Sequence, residues 1–343
     1  MSTMSKEKMG AEWRLSGCRT KEEKEKEKIF MQGIWKDEEK GCLCSTFYEI
    51  DMGNGCVKEC PHVLYHYLNS ITSIGCVMYV VGGLPSDMLS LIKPTVNAAY
   101  MFYLDSDSGW KQIPPYIPPI PDAVAKLPFK FPAVVSLGGK IYAFGSSTRS
   151  PFALVFCPTS NHWDTLLPPS DVSFFDVYSS SSAFADPDNN RLLLHFKTSS
   201  SIYAYYPSDN TWQLILDSFT CCTKHMVYVD GVIYVYICHH EDLVFAYDTI
   251  TKQRLEIVFT SEVPINMLIY KFQDMLYLGN GLMCLTHHIS RTVDSPVPTV
   301  NIAKFRFKRS TDRPGVLIIT PLPWQTYTLN SLRSMSMLNY YSF

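Results

Sequence analysis

Long apolar runs are missing from this sequence: no window approaches the about 18 uninterrupted apolar residues that a membrane-spanning helix needs. The first residues, M-S-T-M-S-K-E-K, lack the apolar stretch of a secretory signal. An excess of one charge is missing too. The 30 basic and 32 acidic side chains leave a net charge of −2, so no overall field draws the chain to nucleic acid or to an acidic membrane. These absences predict a soluble chain of the cytoplasm or nucleus whose partners are neither nucleic acid nor membrane.

The common catalytic signatures are absent as well. There is no G-x-S-x-G elbow, no Rossmann glycine triplet and no H-E-x-x-H. Residues 136–145, S-L-G-G-K-I-Y-A-F-G, look at first like a phosphate loop, but Ile141 stands where the magnesium-binding hydroxyl belongs. The apolar run also follows the glycines, so the stretch is a tight turn feeding a strand.

The eleven cysteines are an odd number scattered along the chain, which fits buried thiols better than a disulfide framework. Cys42, Cys44, Cys56 and Cys60, with His62 and His66 beyond, come nearest to a metal pattern. Neither cysteine pair has the two-residue gap of a zinc knuckle, so core cysteines are the expectation and no metal is assigned. A second metal reading joins His239 and His240 to His287 and His288 through Glu241 or Asp242; exposed loop histidines are the competing reading.

What the chain does have is β punctuation. Residues 21–28, K-E-E-K-E-K-E-K, are all charged, so residues 1–28 are expected to be a solvated tail. From Ile29 onward, short runs rich in Val, Ile, Tyr and Phe alternate with Gly, Pro, Asn, Asp and Ser. The opening pattern recurs at residues 73–83, 136–145, 185–196, 228–237 and 271–280: apolar strand, short turn, apolar strand. Tyr79, Tyr142, Leu193, Tyr234 and Tyr277 fall at the same place in it, roughly 40 to 60 residues apart, a period that signals propeller blades. A second hairpin follows each, with Trp110, Trp163 or Trp212 opening its outer strand; the copies at 246–253 and 305–315 lose the tryptophan.

Together these marks resemble the kelch repeat: Gly-Gly or its remnant at a strand end (Gly82, Gly83; Gly145), then an aromatic and a tryptophan about seven apart. The resemblance covers residues 29–343 and implies an all-β, six-bladed propeller of four-stranded antiparallel blades. Five copies are complete. The sixth is assembled from three N-terminal strands and a lone C-terminal one, L-R-S-M-S-M-L-N-Y-Y, which closes the ring.

The turn between the first two strands of each blade is short (Gly138-Gly139, Asp230-Gly231, Gln273-Asp274), whereas the opposite face carries the long connections 82–99 and 280–300. That face is the expected partner surface, with Asp87, Lys93, Arg149, His239, His240, Glu241, His287, His288, Arg291 and Asp294 as contact residues. The resemblance implies a monomeric, non-enzymatic module, without cofactor, that binds a protein, as in ubiquitin-ligase substrate adaptors. The charged tail is too short for an F-box. A metal-dependent enzyme on the same loops is the alternative, as some kelch-like propellers are copper or iron enzymes; the 21 tyrosines fall mostly at repeat positions, where aromatics pack.

Overall fold

The alternating apolar runs become strands throughout. A computed structural model describes residues 28–37, 42–60, 66–67, 70–82, 84–85, 99–103, 109–114, 132–145, 152–170, 182–196, 201–217, 225–236, 244–261, 274–289, 299–329 and 335–342. The strands are β1 (Lys28–Asp37), β2 (Cys42–Asp51), β3 (Cys56–Glu59) and β4 (His66–Tyr67). Next come β5 (Ser70–Ile74), β6 (Val77–Val81), β7 (Leu84–Pro85), β8 (Ala99–Tyr103) and β9 (Lys111–Ile113). The middle of the chain supplies β10 (Ala133–Leu137), β11 (Lys140–Phe144), β12 (Ala153–Cys157), β13 (His162–Leu166), β14 (Ser182–Asp186), β15 (Arg191–Phe196), β16 (Ser201–Tyr206) and β17 (Thr211–Leu216). Then follow β18 (His225–Val229), β19 (Val232–Tyr236), β20 (Val244–Asp248), β21 (Gln253–Arg254), β22 (Glu256–Phe259), β23 (Asp274–Gly279) and β24 (Leu282–Ile289). The last are β25 (Thr299–Arg309), β26 (Val316–Pro321), β27 (Gln325–Thr328) and β28 (Met335–Ser342). Among the described residues there is no helix.

Six sheets form the blades of a β-propeller. Blade one has the order β28-β1-β2-β3, so its first strand comes from the far end of the chain, as the sequence predicts. Blades two to five are β5-β6-β8-β9, β10 to β13, β14 to β17 and β18 to β21, all antiparallel. The first strands neighbour one another around the axis: β5 meets β10, β10 meets β14, β14 meets β18, β18 meets β23 and β23 meets β28.

Burial follows from this packing. A second strand has a strand on either side in its own blade and a neighbouring blade on either face, so β15 and β19 are buried at every residue. Tyr79, Tyr142, Leu193 and Tyr234 sit at the third residue of their second strands and fill the interior. Six apolar clusters occupy the six interfaces between blades, from Phe30 and Phe47 against Met78 and Phe102 (blades one and two) round to Ile29 and Met31 against Cys284 and Ile302 (blades one and six).

The first hairpins use primed turns. Gly138 and Gly139 both take positive φ, 58° and 71°, which matches the twist of β10 and β11. Asp230-Gly231 (48°, 78°) and Asn280-Gly281 (51°, 70°) repeat this in blades five and six.

The last of these turns corrects the sequence reading. The first hairpin of blade six turns at Asn280-Gly281, not at Gln273-Asp274. Tyr277 is therefore on first strand β23, opposite Met283, and Cys284 takes the slot filled by tyrosine elsewhere. Asp274 opens β23 and so lies on the long-connection face. Blade six also exceeds four strands: β27 pairs with the first half of β25, and β22 runs parallel to β26 along the outer edge. The fourth strand of blade five thus serves its own blade only at Gln253 and Arg254 before crossing to the next. This covers an edge that would otherwise be open. The expected tail, residues 1–28, lies outside the described residues except for Lys28, which opens β1.

Candidate functional site

Topology separates two faces. First and third strands run toward one face and second and fourth strands return, so the turns between first and second strands and between third and fourth strands lie on it. The opposite face receives the connections 82–98, 114–132, 167–181, 237–243, 260–273 and 290–298. Of the ten expected contact residues, Asp87, Lys93, Arg149, His239, His240, Glu241, Arg291 and Asp294 lie outside the described residues. His287 and His288 do not sit in a loop: β24 continues to Ile289, and the pair stands opposite Asn301 and Val300 in an unbroken ladder with β25. The two therefore stand at consecutive register positions of β24 and not in a connection. His287 is half-buried, and burial pushes its pKa below the usual histidine value, favouring the neutral ring.

Among the described residues, no three His, Cys, Asp or Glu side chains converge to hold a metal ion. Cys44 is buried and Cys56 exposed, and burial pushes the Cys60 thiol up to about 11, away from the thiolate that binds zinc. The tyrosines Tyr142 and Tyr234 are likewise pushed up to about 12, chiefly by burial.

Two buried aspartates organise the short-turn face of blades four to six, and sequence reasoning missed them. Asp186, at the end of β14, accepts from Arg191 Nε at 2.6 Å, from Asn189 Nδ2, and from the Tyr228 hydroxyl of blade five at 2.7 Å. Burial raises the Asp186 pKa, but these donors outweigh it and hold the carboxyl below its ordinary value. Asp248 repeats the device one blade on. Its Oδ1 accepts from the backbone of Ile250 (2.8 Å) and Thr251 (2.9 Å), and its Oδ2 from Arg309 Nη1 of blade six at 2.6 Å. Its pKa is also lowered, because the Thr251 and Ile250 amides and Arg309 overcome the penalty of burial. The signal available in the sequence was an aspartate closing a strand just before a turn, at 186 and 248.

Between the outer turns of blades five and six, Asp248 and Arg309 border an open cleft of about 390 Å³. Thr251, Gln253, Arg309 and Ser310 supply polar groups, and Leu255 and Val316 an apolar floor.

No protein-family model and no curated protein matches the chain. Solved structures do resemble it. A nidogen/laminin complex aligns at TM-score 0.50 and 7% identity over 91% of this chain and 98% of that one. A chain of the mitotic checkpoint complex aligns at 0.44 with 8% identity over 83% and 74%, and YCF48 bound to a D1 peptide at 0.43 with 14% over 78% of each. At such identities the likeness is one of fold, and the first extends it over nearly the whole of both chains.

Proposed function

We propose that this propeller is a non-enzymatic, kelch-type protein-binding module that reads its partner with the long-connection face. The observation that carries the reading is the asymmetry of the two faces: compact turns on one side, and on the other the connections 82–98, 114–132 and 290–298 on a rigid ring. Such connections tolerate varied sequence while the blades fix their roots, which is what a recognition surface requires. The kelch resemblance supports the same reading and extends it to substrate recognition for a ubiquitin ligase.

The test is affinity capture with the full chain, followed by mass spectrometry. Changing Arg149, His239 and Arg291 together to alanine should remove captured proteins, and changing Lys140, Ser160 and Asp188 on the short-turn face should leave them. Both variants should melt within a few degrees of the parent, since surface changes usually cost within about 0.5 kcal/mol. Loss of partners from the short-turn variant alone would refute the placement, and ligase subunits among the captured proteins would support the adaptor role.

A further inference from the structure

We propose that the cleft between the outer turns of blades five and six binds an acidic peptide segment, one carboxylate side chain flanked by an apolar residue. This rests on the protein-binding reading but adds a contact on the opposite face.

The chemistry follows from unequal exposure of an ion pair. Among the described residues of the lining, Asp248 is the one anion; its side chain is 2% exposed, and both oxygens already accept hydrogen bonds. Arg309 is the one cation among them, and its side chain is 48% exposed. The pair is neutral as a sum, yet a ligand entering the cleft meets the guanidinium and not the carboxylate. Arg309 is held from behind, by Asp248 and by the Asp230 carbonyl at 3.5 Å, so its orientation is set before anything binds. Gln253 and Ser310 add donors beside it.

One exposed guanidinium matches one negative charge. Among the described residues the lining contains no second cation, which a phosphate or a nucleic-acid backbone would call for, so a carboxylate is the better fit. The apolar neighbour has two places to go. Leu255 and Val316 form the floor, and Ile250, at the tip of the same turn as Thr251, leaves 70% of its surface exposed. The walls are rigid: β22 pairs in parallel with β26, the Glu256 amide donates to the Gly315 carbonyl, and Arg313 Nη2 donates to both oxygens of Glu256 at 2.9 and 3.0 Å.

A random dodecapeptide phage library selected on the immobilised full chain tests this, with the most enriched peptide then measured by fluorescence anisotropy. Enriched peptides should share Asp or Glu beside an apolar residue. Thr251→Trp, a plug at an exposed turn position, should weaken that peptide at least tenfold without changing the melting temperature. Arg309→Lys, which keeps Asp248 compensated but loses the planar fork, should weaken it several-fold. Peptides without acidic residues, acidic peptides indifferent to the plug, or equally tight plug-sensitive binding of inorganic phosphate or oligo-dT would each overturn the proposal. Binding should survive the Arg149, His239 and Arg291 changes, so failure here and failure of the long-connection reading remain distinguishable.

Discussion

Removing residues 332–343 deletes the whole of β28, and the consequence is calculable. β28 meets β1 at seven residue pairs, from Ile29 opposite Ser342 to Trp35 opposite Met335. An antiparallel ladder supplies roughly one backbone hydrogen bond per pair, each worth about 1 kcal/mol net, so about 7 kcal/mol goes with the strand. Domains are typically stable by only about 5 to 15 kcal/mol. The loss also lays open the cluster holding Ile29, Met31, Leu276 and Leu278, because β28 lies between β1 and β23. The truncated chain should therefore lose cooperative unfolding near the parent midpoint in a urea titration followed by tryptophan fluorescence. A synthetic peptide of residues 332–343 should restore stability in a concentration-dependent way, as any ligand of the folded state does. An unchanged midpoint in the truncated chain would refute closure by β28.

Asp186→Asn strands the Arg191 guanidinium, 10% exposed, without its anion and should cost about 3 to 5 kcal/mol by urea titration; Tyr228→Phe should cost about 1.5 to 3 kcal/mol, as it loses one hydrogen bond to a charged group. Because the Asp186 and Asp248 pKa values are lowered in the fold, their contribution is complete above the unfolded carboxyl pKa of 3.8 and disappears as pH falls through the folded values; midpoints measured downward from pH 5 should drop steeply, and less so in Asp248→Asn. His287, also lowered, contributes stability above 6.5 that is lost as pH falls below it, so His287→Gln should flatten the stability profile between about pH 7 and 5. Gly281→Ala should cost several times more than Gly139→Ala: both have φ near +70°, but a Cβ at 281 would meet the Phe307 carbonyl oxygen at 2.7 Å, whereas at 139 it meets nothing within 4 Å.

Blade number and closure were legible because they rest on repetition: the same strand, turn and strand recur, and the two incomplete ends complement each other. One misalignment, in blade six, is instructive. Asn-Gly is among the strongest hairpin signals, and Asn280-Gly281 was present, but the tyrosine at 277 outweighed it. A slot in the interior selects for size and apolarity, not for tyrosine as such, so Cys284 or Leu193 fills it equally well. The crossing of β22 to blade six had no signal, since the side chains of Glu256–Phe259 suit either neighbour and only the geometry of the blades decides between them. The histidine pair at 287 and 288 reads as loop because polar residues interrupt an apolar pattern there, and its pairing partner at 299–301 is distant in sequence.

The lost tryptophans have a structural counterpart. Where the tryptophan is present it stitches blades together: Trp163 Nε1 donates to the Pro114 carbonyl at the end of blade two, and Trp212 Nε1 to the Leu167 carbonyl at the end of blade three, at 2.9 and 3.0 Å. In blades five and six, which lack it, the stitching is done by charge: Tyr228 to Asp186, Arg309 to Asp248 and Arg313 to Glu256. An indole needs one acceptor and closes the gap between outer strands. A buried aspartate needs several donors and holds its own turn with some, and at Asp248 one of those donors, Arg309, stays half-exposed. The seam between blades five and six therefore gains cleft-lining donors where blade six gives up the aromatic.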